Sequence, residues 1–220
     1  MMNKSVFLSH PLSINTPLYG GAKDINISIN TAISSGDTSN SLFLSFPNHV
    51  GTHLDVPYHF FDNGKKLTEY DSSFWIFNHP ICVDVPSKDG YLIKYDDVVN
   101  TIDKQTDLLL IRTGYEIYRN KKKYWEKNPG LSVNLATELR LNHPNIRAVG
   151  IDTISITSRL HRKEGRKAHK EFLGDAFDSS PIILIEDMSL KRYTKIISQV
   201  IVAPLRINDA DGAPSTIIAH

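Results

Sequence analysis

The chain has 220 residues, of which 40% are hydrophobic and 22% are charged, values typical of one globular domain with a hydrophobic core. Its formal net charge of +1 gives no reason to expect nucleic acid or an anionic membrane as a partner. A single cysteine, Cys82, excludes an internal disulfide, and no apolar stretch is long enough for a membrane span or a secretory signal. We therefore expect one cytoplasmic domain over residues 1–220.

Short β-rich runs between turn signals account for most of the predicted secondary structure. The predicted strands are residues 25–29, 41–46, 81–85, 108–112, 148–151, 182–185 and 196–202. Helices are fewer, and are predicted at residues 96–103, 115–126, 133–141 (with Ser132 as N-cap) and 159–173. These elements predict a mixed α/β, strand-rich fold.

The densest group of reactive side chains lies between positions 49 and 59. It contains His49, His53, Asp55 and His59, all at odd positions, which share one face of an extended backbone. On a helix Asp55 would point away from His53, and Pro57 is unfavourable inside a helix. The pattern therefore predicts an extended or turning segment that presents all four side chains together.

Imidazole and carboxylate groups in such a cluster are suitable ligands for zinc, manganese or iron. The alternative is that these histidines are ordinary residues hydrogen-bonded to their neighbours, but the density of the cluster favours a metal site. Three local ligands rarely complete a catalytic metal environment, so others should come from elsewhere in the chain. His169 and Glu186, which ends an apolar run, are the candidates.

The pattern His-x-Gly-Thr-His-x-Asp-x-Pro-x-His-Phe over residues 49–60 resembles the signature of the cyclase family of metal-dependent hydrolases. Bacterial kynurenine formamidase and isatin hydrolase belong to that family. Further segments resemble family landmarks in the same order along the chain, at residues 16–20, 110–114, 129–132, 149–155, 203–205 and 211–214.

The resemblance implies a swivelling β/β/α domain, a homodimer or larger homo-oligomer, and one or two divalent ions, zinc or manganese. It implies a hydrolase that acts on carbon–nitrogen bonds other than peptide bonds. Carried over residue by residue, the first metal would be bound by His49, His53 and Asp55. The second would be bound by His169, with Asp55 and Glu186 bridging the two. His59 would be the general acid/base, and Tyr19 stands where formamidases usually have a tryptophan against the substrate.

The sequence departs from the family pattern at two places. The gap between His169 and Glu186 is longer than usual, which predicts an insertion near residues 174–180 and makes His161 a rival to His169. Tyrosine at position 19, followed by Gly20 where a proline is typical, weakens the inference to kynurenine itself.

Such a site would activate water and cleave an amide or cyclic amide bond of a small molecule, with His59 moving the protons. His59 could instead be a further ligand. The alternative functions are a metal-dependent cyclase or lyase acting on another small acid, and a metal-binding protein without catalysis. A basic stripe recurs at helical spacing over residues 159–170; it is either a solvated helix face or a surface that attracts an anionic substrate.

Overall fold

The computed structural model of the protein describes residues 5–175, 179–191 and 197–220. The strands in these ranges are β1 (Val6–Phe7), β2 (Asn26–Thr31), β3 (Ser41–Ser45), β4 (His53–Asp55), β5 (Ile76–Phe77), β6 (Pro80–Asp84), β7 (Leu92–Ile93), β8 (Leu108–Arg112), β9 (Gly130–Leu131), β10 (Ala148–Ile151), β11 (Ile183–Glu186), β12 (Val200–Pro204) and β13 (Gly212–Ala219). The α-helices are α1 (Lys123–Glu126), α2 (Val133–Asn142) and α3 (Arg162–Leu173).

One mixed sheet organises the described part of the chain. Its strand order is β5-β12-β13-β4-β11-β10-β8-β6, and β1 also pairs with β13. The pairs β10–β11, β8–β10 and β6–β8 are parallel, whereas β4 is antiparallel to both β11 and β13. The short strand β4 therefore lies in the middle of the sheet, where the parallel and antiparallel halves meet.

Both faces of the central strands are buried, as their continuous apolar runs require. Leu108 and Leu110 face one core cluster, whereas Leu109 and Ile111 face the other. The second cluster also takes in the apolar sides of α2 and α3, so these two helices cover that face of the sheet. The predicted mixed α/β, strand-rich class is confirmed.

The hairpin of β2 and β3 differs from the half-buried strands that its alternating sequence predicts. The two strands pair with each other in a separate two-stranded sheet. Several of their apolar side chains are exposed, namely Ile29, Leu42, Phe43 and Leu44. The alternation therefore produces a strand pair, but the chain as described does not bury either face.

Two predicted helices are interrupted in the structure. Residues 96–103 form the 3-10 turns Tyr95–Asp97 and Val99–Thr101, in a segment where β-branched residues restrict helical packing. Residues 115–126 divide into the 3-10 turn Tyr115–Tyr118 and α1, with three successive lysines, residues 121–123, at the junction. By contrast, Ser132 caps α2 as predicted by accepting a hydrogen bond from the backbone of Leu135.

Part of two further predictions lies outside the described residues. The strand predicted at residues 196–202 is described from residue 197 and forms β12 from Val200, while residue 196 is outside. The insertion predicted near residues 174–180 includes residues 176–178, which are also outside. None of the helices that are described has the length and apolar character needed to cross a membrane.

Candidate metal centre

Strand β4 carries two of the predicted ligands at the middle of the sheet. His53 pairs in register with Glu186 on β11, and Asp55 pairs with Gly212 on β13. His53 and Asp55 are two positions apart in an extended strand, so their side chains share one face, as the odd-position pattern predicts. The segment then turns at Pro57, and His59 ends the 3-10 turn Pro57–His59.

Four buried side chains meet at this face without direct hydrogen bonds between the rings and the acids. His53 Nε2 lies 3.7 Å from Asp55 Oδ1 and 3.5 Å from Glu186 Oε2. His169 Nε2, from α3, lies 3.6 Å from Asp55 Oδ2 and 3.4 Å from Glu186 Oε1. Two histidine nitrogens and two carboxylates therefore surround one small volume.

Backbone carbonyls fix the orientation of both histidine rings. His53 Nδ1 donates to the carbonyl of Gly51 at 2.8 Å, and His169 Nδ1 donates to the carbonyl of Gly165 at 2.9 Å. Each hydrogen bond fixes Nδ1 as the donor, so in the neutral ring the lone pair is on Nε2 and faces the carboxylates, which is the usual arrangement of metal-binding histidines. Gly51 has a φ of 61°, and a β-carbon there would lie 2.6 Å from Leu12, so this turn requires glycine.

His49 and His59 share a third carboxylate, Asp211, which immediately precedes β13. His49 Nδ1 donates to Asp55 at 2.8 Å, and His49 Nε2 donates to Asp211 Oδ2 at 2.9 Å. His59 Nδ1 donates to the same Asp211 oxygen at 2.7 Å. Gly212 allows this approach, because a β-carbon at that position would lie 2.8 Å from the His49 ring.

Strong electrostatic coupling accompanies this geometry. Burial lowers the pKa of His49, but hydrogen bonds to Asp211 and Asp55 outweigh burial and raise that pKa to about 10. Burial likewise lowers the pKa of His169, and its contacts with Asp55 and Glu186 raise it to about 10. Although burial raises the pKa of Asp55, the histidines hold it well below its usual value. In the absence of metal, imidazolium cations therefore compensate the buried carboxylates.

These residues fit a divalent metal ion. Two ligands that are each about 2.1 Å from one ion at a tetrahedral angle are about 3.4 Å apart, close to the 3.4–3.7 Å separations of the histidine nitrogens from the carboxylate oxygens. Two overlapping groups have ligand atoms close enough to hold an ion: His49 with Asp55 and His59, and His53 with Asp55 and Glu186. Asp55 belongs to both groups.

Glu186 is held by polar groups of the segment that follows β10. Its Oε1 accepts from Ser155 Oγ at 2.9 Å and from the backbone N–H of Ile156 at 2.7 Å. The nearby Asp152, in contrast, accepts from Thr113 and from the backbone of Gly114, away from the site. Ser155 therefore holds Glu186 within the candidate metal centre, whereas Asp152 organises a turn.

A cavity of about 320 Å³ opens onto the candidate metal centre. The predicted site residues that line it are Tyr19, His49, His53, Asp55, His59, His169 and Glu186, so every one of them reaches the same space. His161 does not line this cavity and is exposed, in the 3-10 turn that precedes α3. The structure thus places His169, and not its rival His161, beside Asp55 and Glu186.

Sequence reasoning missed Asp211 as a site residue. The Asp-Gly-Ala-Pro segment at residues 211–214 resembled a family landmark, but its acid is 152 positions from His59, so spacing gave no hint of contact. Only the pairing of β13 with β4 brings the two together. The sequence analysis also missed that, within the basic stripe, only Arg162 and Arg166 line the cavity.

The family model described as "Putative cyclase" matches residues 6–158, which is more than half of the chain. The chain belongs to this cyclase family. Kynurenine formamidase of Bacillus cytotoxicus is 26% identical over 207 residues, which cover 94% of this chain and 92% of that protein.

Solved structures share the cyclase-type fold. Isatin hydrolase A from Labrenzia aggregata superimposes with a TM-score of 0.80 at 19% identity, covering 98% of this chain and 93% of that one. A predicted metal-dependent hydrolase from Bacillus stearothermophilus superimposes with a TM-score of 0.77 at 21% identity, covering 98% and 97% of the two chains. These likenesses confirm the fold class that the resemblance implied.

Proposed function

We propose that this cyclase-family protein is a metal-dependent hydrolase that cleaves an amide or cyclic amide bond of a small molecule. The observation that carries the proposal is the arrangement of His53, His169, Asp55 and Glu186 around one small volume, at the wall of a cavity that His59 also lines. The similarity to kynurenine formamidase supports the bond type, because that relative matches almost the whole chain.

The proposed ligands are His49, His53, Asp55, His169 and Glu186, for one or two ions. Their nitrogen and oxygen donors suit zinc or manganese. When bound, a divalent ion would supply Lewis acidity, which polarises a carbonyl group and makes water more acidic. Asp55 is the proposed ligand shared by both ions, and its membership of both ligand groups supports this role.

His59 is the proposed general acid/base. Its Nδ1 donates to Asp211, so a neutral ring presents Nε2 as the proton acceptor. In that state Nε2 takes a proton from the attacking water and then returns it to the leaving nitrogen. Tyr19 lines the same cavity and is the proposed substrate contact.

Hydrolysis of N-formylkynurenine and of isatin, each measured with added zinc and with added manganese, tests the proposal. We expect turnover of at least one small amide, with formate released from a formamide or a ring-opened acid from isatin. A product formed by elimination or cyclisation, with no hydrolysis of any amide or lactam tested, would contradict it and favour a cyclase or lyase.

Asp211 is expected to orient His49 and His59 without binding the metal itself. Asp211→Asn removes the charge that both His49 and His59 face, and we expect kcat to fall about 10- to 100-fold while metal stoichiometry is retained. Asp209→Asn is the matched control, because Asp209 pairs with Lys66 at the surface. Steady-state kinetics and metal analysis of both variants measure this effect. A wild-type kcat in Asp211→Asn would contradict the orienting role.

Two expectations from the sequence are part of the proposal. Self-association is supported by the exposed apolar side chains of the β2–β3 hairpin, and sedimentation velocity would detect it as a species heavier than the 24.8 kDa chain.

A cytoplasmic location is supported by the free cysteine, Cys82, and cell fractionation would test it.

A further inference from the structure

Helix α3 presents three functional groups on one face. Arg162, Arg166 and His169 are spaced four and three residues apart, so they follow one another along one side of the helix. All three line the cavity above the metal centre. The lysines of the same helix, Lys163, Lys167 and Lys170, do not line it. The basic stripe therefore divides into two cavity arginines, three exposed lysines outside the cavity, and Arg159 in the preceding 3-10 turn.

The two cavity arginines are exposed and lack the acidic partner that two half-buried arginines have. Arg119 binds Asp187 at 2.6 Å, and Arg147 lies 3.3 Å from Asp107. Among the described residues, Arg162 and Arg166 have no hydrogen-bonded acid and no ion pair. The nearest acids on the cavity wall, Asp55 and Glu186, are already in contact with histidines. Both guanidinium groups are thus available to an anion that enters the cavity.

Tyr19 adds a third polar group to the same wall. Its hydroxyl oxygen is buried and close to the Arg159 guanidinium, but within the residues described it makes no hydrogen bond of normal geometry. A buried hydroxyl without a partner is unfavourable, so a ligand that accepts its hydrogen bond would be stabilised. The Arg159 guanidinium lies 5.7 Å from the Tyr19 ring, which adds positive charge at this end of the cavity.

We propose that the substrate of this site carries a carboxylate, which Arg162 and Arg166 bind while the scissile amide lies against the metal centre. Guanidinium groups bind carboxylates through charge-assisted and often paired hydrogen bonds, and such bonds are stronger than neutral ones. The inference rests on the proposed hydrolase function and narrows it to anionic amides.

A pair of probe substrates that differ only in one carboxylate tests the inference. N-formylanthranilate carries a carboxylate beside the formamide, and formanilide lacks it. For the double variant Arg162→Gln/Arg166→Gln we expect kcat/KM for N-formylanthranilate to fall at least about 10-fold, mainly through KM, because each lost charged hydrogen bond contributes roughly that much. The value for formanilide should stay within about twofold.

The control is Lys163→Gln/Lys167→Gln, which removes the same charge from the same helix outside the cavity. We expect its kinetics on both probes to match wild type, and Arg162→Lys/Arg166→Lys to retain part of the preference for N-formylanthranilate. Equal losses on both probes, or equal losses in the arginine and lysine double variants, would overturn the carboxylate assignment while leaving the hydrolase proposal in place.

If wild type hydrolyses neither probe, the inference can still be tested by measuring benzoate binding with calorimetry. In that case the hydrolase proposal fails for formamides, but the arginine site still predicts that benzoate binds wild type at least about 10-fold more tightly than Arg162→Gln/Arg166→Gln. Equal affinity of wild type and variant would overturn the inference on its own.

Discussion

His53→Ala is expected to release the metal and abolish hydrolysis. His53 is fully within the sheet on β4, its Nδ1 is held by the Gly51 carbonyl, and its Nε2 faces Asp55 and Glu186. Alanine offers no donor atom, and the strand cannot move a substitute into place. Because changes to groups that merely orient ligands cost about 10- to 100-fold in metal affinity, loss of a ligand should cost more than about 100-fold.

Metal content by mass spectrometry, together with amide hydrolysis, measures this effect. His79→Ala is the control, since His79 is an exposed histidine that does not line the cavity. Thermal unfolding should be recorded for both variants, so that loss of metal is not confused with loss of folding. A folded His53→Ala protein that keeps stoichiometric metal would show that His53 is not a ligand.

His59→Gln is expected to retain metal and lose turnover. The side chain lines the cavity and is oriented by Asp211, and glutamine of similar size cannot accept and return a proton at neutral pH. General acid/base groups contribute about 10²- to 10⁴-fold, so we expect kcat to fall by that factor.

The same variant separates the two roles open to His59. Its nitrogen belongs to one of the two groups close enough to hold an ion, with His49 and Asp55. Metal analysis of His59→Gln after dialysis decides between them: retained metal with lost turnover supports the acid/base role, and lost metal would make His59 a ligand. Unchanged turnover would remove it from the reaction altogether.

The parts of the site that the sequence predicts are those fixed by local geometry. His53 and Asp55 share a face because a strand repeats every two residues, and Glu186 ends an apolar run that forms β11. His169, which the resemblance to the cyclase family implied, and Asp211, which the sequence analysis missed, depend on tertiary placement instead. His169 reaches the site because α3 packs on the sheet, and Asp211 because β13 pairs with β4, and neither arrangement can be read from spacing.

The same distinction explains the differences in the fold. Strands such as β8 and β10 are predicted well because their continuous apolar runs require burial on both faces. The helix predicted at residues 96–103 breaks into two 3-10 turns, since periodicity alone does not register its β-branched residues, and the helix predicted at residues 115–126 divides into a 3-10 turn and the short helix α1. The stripe on α3 has helical spacing, but only the packed helix shows that Arg162 and Arg166 face the cavity.

Metal-dependent turnover by one preparation tests the central claim most directly. The protein is stripped with a chelator, reloaded with zinc or manganese, and assayed at each stage for ions per chain and for hydrolysis of N-formylkynurenine and isatin. The account predicts no turnover without metal, and turnover that rises with occupancy to one or two ions per chain. Hydrolysis that is the same in stripped and reloaded protein, or a chain that binds no divalent ion under any loading condition, would contradict it.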